Sequence, residues 1–221
     1  PHTALSIMEA RQGSNLQTID VFQQATARDN WMLWGVMDIL PGATVPALTV
    51  KDEGASLLES TSADGLVASP EDVLAAYSSL NDKDDAQGLT FAEDRLRQTL
   101  SAGKESNKTA VEGAGEATMS FKSASEPTIS FGTEDGGALV VGQMNLNTQI
   151  KVTTEGAKIK LQSTIGTLGS GKAGGEIEVS GTMVADYTVL VAFRVPAADS
   201  KDKTMQVVGA SDPVLLSVSN G

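Results

Sequence analysis

Apolar and polar positions follow a strand-like pattern over much of the first fifty residues. Segments 18–22 and 31–36 are rich in β-branched and aromatic residues, and a polar stretch ending in Asp29-Asn30 separates them. Such residues favour a pleated, half-buried backbone, and an Asp-Asn pair favours a turn. The pattern therefore predicts a meander of two strands, with residues 5–10 as a candidate third.

Two tryptophans lie in the second of these strands. Side chains alternate between the two faces of a strand, so Trp31 and Leu33 share one face while Met32 and Trp34 share the other. Both faces are apolar, and we expect a strand that is covered on both sides, with the indoles in the core. The alternative is that Trp31 and Trp34 form a patch on which a ligand stacks.

A first amphipathic helix is predicted after a linker at 51–69 that is rich in glycine, serine and acidic residues. Ser69 is the expected N-cap, because its hydroxyl can accept a hydrogen bond from the free N–H groups of the first turn. Pro70 fits the first helical position. The apolar stripe that follows predicts a helix over 70–80.

A second helix is predicted by the same reasoning. Thr90 and Glu93 have the spacing of a capping box, in which each side chain accepts from a backbone N–H of the other's residue. Phe91, Leu96 and Leu100 form its apolar stripe, which predicts a helix over about 91–102.

The last hundred residues have mainly the pattern of strands. Asp135-Gly136-Gly137 signals a tight turn, and residues 166–175 contain five glycines, which predicts a flexible loop. The predicted strands cover 117–122, 129–131, 138–152, 159–161, 176–183 and 187–195, with a last strand at 205–218 that is interrupted at 212–213. The segment 138–152 is either one long strand or two strands with a bulge near Gly142.

Two helices followed by long antiparallel strands predict an α+β fold. The arrangement that satisfies this order best is two N-terminal helices packed on a curved antiparallel sheet, as in cystatin-like and nuclear-transport-factor-2-like (NTF2-like) folds. Under this interpretation residues 1–60 are a β-rich remnant, the closing strands of a partial first half. Residues 61–221 form the α+β domain.

Composition excludes several chemistries. The 221 residues include 28 acidic and 16 basic side chains, for a formal net charge of −12, and the basic residues form no cluster. Nucleic acid is therefore excluded as an expected partner, because affinity for phosphate backbones needs clustered Lys and Arg. Cysteine is absent and the single histidine is His2, next to the N-terminus. Thiol catalysis, a Ser–His–Asp triad and histidine zinc sites are not expected, and no cofactor or metal is predicted.

Two short motifs fail the templates that they suggest. Asp82, Asp84 and Asp85 form an acidic cluster, but a calcium loop counted from Asp82 would need glycine at its sixth position, where Gln87 stands. We interpret the cluster as a solvated turn between the helices. Residues 169–172, Gly-Ser-Gly-Lys, are similar to part of a phosphate-binding loop, but Ala173 replaces the required hydroxyl residue.

Asp186 and Tyr187 are the remaining candidates for chemistry, because they flank the most apolar strand. A carboxylate and a phenol near a cavity could perform acid–base work. No second buried ionisable partner is visible in the sequence, so the simpler interpretation is an Asp at the start of a strand. Asn107-Lys108-Thr109 matches the three-residue glycosylation acceptor, a pattern that arises often by chance.

One family resemblance extends over most of the chain from about residue 20. The segment 28–33 (RDNWML), followed by 40–46 (LPGATVP), resembles a stretch of uncharacterised actinobacterial cell-envelope lipoproteins. Asn30 stands where those proteins usually have Pro. The segments 136–142 and 191–196 are similar as well. These motifs are turns and strands rather than catalytic residues, so the resemblance transfers no site residues.

The resemblance implies an extracytoplasmic protein of two cystatin-like halves, tethered to a membrane by an N-terminal lipid and without an assigned activity. The chain lacks the lipid-bearing cysteine and an initiating Met, so we expect an excised segment or a processed product. The leading hypothesis is a non-enzymatic binding or scaffold domain for a protein or envelope component. The alternatives are an NTF2-like enzyme with a carboxylate and tyrosine site, and a cell-surface adhesive or assembly protein.

Overall fold

The structure is a computed structural model that describes residues 2–9, 16–51, 54–55 and 57–220. Most of its regular structure is strand. Within the described residues the strands are β1 (His2–Met8), β2 (Thr18–Gln24), β3 (Met32–Ile39), β4 (Val50–Lys51), β5 (Gly54–Ala55), β6 (Gly115–Ser123), β7 (Ile129–Gly132), β8 (Ala138–Val152), β9 (Ile159–Leu161), β10 (Ile177–Val179), β11 (Thr182–Val195), β12 (Gln206–Ala210) and β13 (Val214–Asn220). The helices are α1 (Pro70–Lys83), α2 (Arg95–Ala110) and α3 (Ser163–Ser170).

One antiparallel sheet of nine strands organises the molecule, in the order β1-β2-β3-β12-β11-β8-β6. The long strands β8 and β11 pair along their whole common length at its centre. The other edge of β8 is shared by β6 and β7, and the other edge of β11 is shared by β12 and β13. The two ribbons β4-β5 and β9-β10 lie outside this sheet.

The largest core, which we call the helix-side core, lies between α1, α2 and one face of the sheet. Val73, Leu74 and Tyr77 of α1 are buried there against Val140 of β8 and Phe193 of β11. These α1 residues lie three and four apart, so they share one face of the helix. The β8 and β11 residues of this core alternate with residues that point to the other side of the sheet.

Gly142 lets α1 approach the sheet closely. A Cβ atom built on Gly142 would lie 2.7 Å from Cδ2 of Leu74, which is closer than packed carbon atoms come. The absence of a side chain at this point of β8 is therefore a packing requirement.

Two smaller cores complete the fold. On the opposite face, residues of β2 and β3 such as Ile19 and Met37 pack against Leu139 and Val208. Near the far ends of β8 and β11, Ile150 and other residues pack against β9, α3 and β10; we call this the end core.

The predicted fold class is wrong. Of the residues that the structure describes, 44% are strand and 18% lie in three helices, so two N-terminal helices packed on a sheet do not describe the fold. α1 and α2 follow five strands, and the β3 residues Asp38 and Ile39 pair with Ala210 and Gly209 of β12. The early strands therefore extend the main sheet instead of forming a partial first half. The cystatin-like and NTF2-like assignment falls with this arrangement.

Local predictions have mixed outcomes. The first helix is confirmed, since the Ser69 hydroxyl accepts from Asp72 N at 3.2 Å. The capping box at Thr90 is wrong: Asp94 is the N-cap of α2, because Phe91 forms a bridge with Met205 and keeps the chain extended. The flexible loop at 166–175 is also wrong in its first half, which is the end of α3.

Trp31 and its neighbours correct the prediction of a strand covered on both faces. Trp31 is 47% exposed, and Met32 and Leu33 are exposed too. Only Trp34 packs against a core, the one on the β2–β3 side. Trp31 and the first two residues of β3 therefore extend beyond the layers that cover the rest of the strand.

A buried pair joins α1 to the start of α2. The Tyr77 hydroxyl donates to Asp94 Oδ1 at 3.0 Å, and Arg97 N donates to the same oxygen at 2.8 Å. Burial raises the pKa of Tyr77 above its ordinary value and also raises the pKa of Asp94. The other oxygen of Asp94 is buried without a hydrogen-bond partner among the described residues. The neutral Tyr77 phenol thus donates a hydrogen bond to a carboxylate whose burial opposes folding, and this bond offsets part of that cost.

Replacing Tyr77 by phenylalanine is expected to lower the free energy of unfolding by about 1–2 kcal/mol, since it removes the donor and leaves Asp94 underpaired. Urea denaturation at neutral pH measures the change. Tyr187→Phe is the matched control, because the Tyr187 hydroxyl makes no hydrogen bond within the described residues. Equal losses in the two variants would show that the Tyr77–Asp94 bond contributes nothing.

Candidate functional site

A largely apolar cavity of the described structure lies between α2, the sheet and the β9–α3 segment. Its volume is ≈ 390 Å³, and we call it the α2 pocket. Several elements supply its walls. They contribute Thr99, Leu100 and Gly103 from α2, Leu146, Ile150 and Tyr187 from the sheet, and Ile159, Leu161 and Ile165 from β9 and α3.

Strand alternation and one glycine create this pocket. Leu146, Thr148 and Ile150 are two residues apart on β8, so they point to the same face of the sheet, towards α2. Gly103 stands on the facing side of α2, and a Cβ built there would have its nearest neighbour, Met119 Cε, 4.0 Å away. The missing side chain of Gly103 leaves the space that becomes the pocket.

The polar groups of the α2 pocket are few. Tyr187 is half-buried, and burial raises the pKa of its phenol, so the hydroxyl is a neutral donor and acceptor at pH 7. No hydrogen bond to this hydroxyl is formed by any described residue. Thr148 and Asn107 add a hydroxyl and an amide, and none of the described Asp and Glu residues lines the pocket. An apolar cavity with a few hydrogen-bonding groups is the usual composition of a small-molecule site.

A second, more polar depression of about 400 Å³ is partly formed by the outer face of the sheet. Asp186 lies there and accepts hydrogen bonds from Asn147 Nδ2 at 2.7 Å and from the Ser217 hydroxyl at 2.8 Å. These two bonds hold the pKa of Asp186 below its usual range. Asp82 lines the same depression and accepts from Phe121 N at 3.0 Å.

Asp186 and Tyr187, the candidates for acid–base chemistry, belong to different faces of β11. Tyr187 shares its face with buried Ala185 and Val189, whereas Asp186 forms a ladder with Asn147 and Ser217 on the other face. An aspartate with a lowered pKa is ionised at neutral pH and is a weak base. Both residues nevertheless line the polar depression, where Asp82 also lies, and no hydrogen bond joins the Asp186 and Tyr187 side chains.

The acidic cluster lies at the end of α1, as the interpretation of a solvated turn requires. Asp84 is the C-cap of α1, with its backbone in the left-handed region. The Asp82 carboxylate accepts a hydrogen bond from the N–H of Phe121 on the edge strand β6. In the part of the chain that the structure describes, no group of three or more potential metal ligands is found.

The glycine-rich segment 169–172 lies at the C-terminal end of a helix, whereas a phosphate-binding loop precedes the N-terminus of one. It ends α3, and Gly171 is the left-handed C-cap. A phosphate loop needs the N-terminus of a helix, where free N–H groups point at the anion. Free carbonyl groups mark the end of α3 instead.

The remaining sequence candidates are scattered. His2 is exposed on β1, Asn107 lies on α2 at the pocket wall, Trp31 directly precedes β3, and Trp34 lies on β3. Trp31 is exposed and Trp34 half-buried, so the two indoles differ in environment and line no cavity described above.

Sequence reasoning missed most of the α2 pocket. Its walls come from several segments that are distant in sequence. Of its residues, Tyr187 and Asn107 are candidates from the sequence, and the others fall in predicted helix, strand or loop. One available signal was Gly103, a glycine inside an amphipathic helix, which costs helix stability and often has a packing or functional reason.

The fold and the pocket define a mainly antiparallel β domain with a helix-covered cavity. The chain matches the family model described as Domain of unknown function (DUF8094) over residues 6–213, and it therefore belongs to that family. The expectation of an uncharacterised domain is confirmed. Neither the search of curated proteins nor that of solved structures gave a match. Among the described residues, no helix is long and apolar enough to span a membrane.

Proposed function

We propose that this domain binds a small molecule with a largely apolar body in the α2 pocket. The observation that carries the proposal is a cavity of ≈ 390 Å³ whose walls are mostly aliphatic and whose Tyr187 hydroxyl has no partner in the described chain. This volume lies within the range of about 300–1,000 Å³ that is typical of ligand sites. Apolar contact supplies affinity, and the hydroxyl orients the ligand.

Binding without catalysis is the function that the pocket's chemistry favours. Its walls contain no carboxylate, and its ionisable groups are Tyr187 and Lys160. Lys160 Nζ is 3.4 Å from Glu176 Oε1, so its charge is already partly matched. General acid–base catalysis needs a group whose pKa is near the working pH, and a phenol with a raised pKa does not provide it.

The proposed setting is the cell envelope, outside the cytoplasm, with the domain tethered by an N-terminal lipid. The similarity of residues 28–33 and 40–46 to actinobacterial envelope lipoproteins supports this proposal. Sequencing the gene upstream of Pro1 tests it. A leader with a cysteine at its cleavage site is expected, and an initiating Met close to Pro1 with no apolar segment would contradict the proposal.

Two substitutions of Gly103 test the pocket. Gly103→Phe projects a ring into the cavity and is expected to weaken binding of the apolar dye N-phenyl-1-naphthylamine at least tenfold. Gly103→Ala adds only a methyl group in free space and removes a helix glycine, so it is expected to keep dye binding and to stabilise α2 by about 0.5–1 kcal/mol. Fluorescence titration measures the affinity, and thermal unfolding verifies that both variants are folded.

Dye binding that is equal in wild type, Gly103→Ala and a folded Gly103→Phe would place the dye elsewhere and contradict the proposal. An absence of dye binding by the wild-type protein would contradict it as well.

A further inference from the structure

A second apolar cavity, distinct from the polar depression, lies next to the α2 pocket. It has a volume of ≈ 300 Å³ and lies between the start of α2, the end of β3 and the β12–β13 turn. Leu40, Pro41 and Leu96 give it apolar walls.

Three residues belong to the walls of both cavities: Thr99, Leu100 and Pro213. The two cavities therefore lie side by side along α2, and we call the pair the α2 groove. Leu100 is buried at its floor, while Thr99 and Pro213 are exposed at the junction. A compact ligand would fill one cavity, whereas a linear one could cross the junction and bury its length in both.

Charges of both signs lie at the end of the groove formed by the second cavity. They are Arg95, Asp38 and Asp212. No ion pair or side-chain hydrogen bond of these three residues is formed with any other described residue. At the opposite end Lys160 is paired with Glu176. The groove therefore has largely apolar walls and one end at which the Arg95 guanidinium and the Asp38 and Asp212 carboxylates are available to bind charged groups of a ligand.

We propose that the α2 groove binds one linear amphiphile with a zwitterionic head. Its hydrocarbon chain lies in the α2 pocket and crosses the junction at Thr99. Its head lies at the charged end, where the Arg95 guanidinium binds the phosphate and the carboxylates of Asp38 and Asp212 bind the ammonium group. A net charge of −12 disfavours purely anionic amphiphiles. This inference rests on the proposed function and names its ligand class.

Octyl-, dodecyl- and hexadecylphosphocholine, each below its micelle-forming concentration, test the chain. Isothermal titration of the wild-type protein is expected to show affinity rising by up to about fourfold per added methylene until the groove is full. Thr99→Trp places an indole at the junction and is expected to stop this rise at a shorter chain. Thr109→Trp is the matched control, because Thr109 is exposed on the same helix and lines neither cavity.

The head is tested by comparing dodecylphosphocholine with tridecanoate and dodecyltrimethylammonium, which all carry a dodecyl chain on their head group. The zwitterion is expected to bind at least threefold more tightly than either. Arg95→Gln is expected to remove this advantage without weakening dodecyltrimethylammonium. Equal affinities for all three amphiphiles would overturn the head assignment.

Failures of the two proposals are distinguishable. If affinity does not rise from octyl to dodecyl chains while Gly103→Phe still abolishes dye binding, the linear ligand is refuted and the α2 pocket stands. If wild type binds neither the dye nor any alkyl chain, both proposals are refuted. Binding of phosphocholine only on vesicles, and not as monomers, would also overturn the groove proposal, because a membrane surface would then be the partner.

Discussion

Replacing Phe193 by alanine is expected to lower the free energy of unfolding by about 3–5 kcal/mol, the usual cost of deleting a buried aromatic ring. Phe193 is fully buried in the helix-side core. Its ring centre is 5.1 Å from that of Tyr77 and 6.4 Å from that of Phe91, with edge-to-face geometry in both pairs. The ring therefore links the central strand β11 to α1 and to the segment before α2. The free energy of unfolding of a typical domain is only about 5–15 kcal/mol, so this loss is severe.

Denaturation in urea, monitored by circular dichroism, measures this change. Trp31→Ala is the control, since it also deletes an aromatic ring but at an exposed position, and it is expected to change stability by about 0.5 kcal/mol or less. A Phe193→Ala variant as stable as Trp31→Ala would mean that the helix-side core is not packed as described.

Features that depend on a few neighbouring residues could be predicted from the sequence. The N-cap at Ser69 needs only a hydroxyl, the N–H of Asp72 and an adjacent proline, all within four positions. The long strand β8 follows from an apolar run over 138–142 and from the alternation of polar and apolar residues after it. In both cases the physical cause is local, so the sequence contains it.

The sheet order could not be predicted in this way. The pairing of β3 with β12 joins residues 38–39 to 209–210, and no local pattern states which of many strands will meet. The error about a partial first half follows directly from this non-local choice. The start of α2 shows the same limit, because the bridge between Phe91 and Met205 overrode a good capping box.

The α2 pocket was unpredictable for a related reason. Ile159 and Ile165 look like ordinary apolar residues, and their position opposite α2 depends on how the segment between β8 and β11 folds back. That segment contains α3, whose glycines at 166, 169 and 171 are typical of a loop in sequence. Gly166 packs closely against other backbone, Gly169 packs against the side chains of Ile177 and Val218, and Gly171 has the left-handed conformation of the C-cap. Only the folded structure reveals these reasons for glycine.

Gly166→Val is therefore expected to destabilise the protein by about 3 kcal/mol or more. Gly166 is buried in α3, and a Cβ there would lie within 2.7 Å of the Leu161 carbonyl oxygen and nearer still to that of Gly175. Backbone oxygens cannot rotate away as a flexible side chain can. The valine must push α3 away from the β9–β10 ribbon, which carries Ile159 and Leu161 of the pocket wall.

The damage is expected to be concentrated near α3. Hydrogen exchange should accelerate most in residues 159–179, while the paired amides of β8 and β11 keep a larger share of their protection, and dye affinity should fall at least tenfold. Gly132→Val is the matched control, because Gly132 is a strand residue whose added Cβ meets no atom within 4 Å. If Gly166→Val retained wild-type stability and dye affinity, α3 could not be packed on this ribbon, and the pocket would lose the wall on which the proposed function depends.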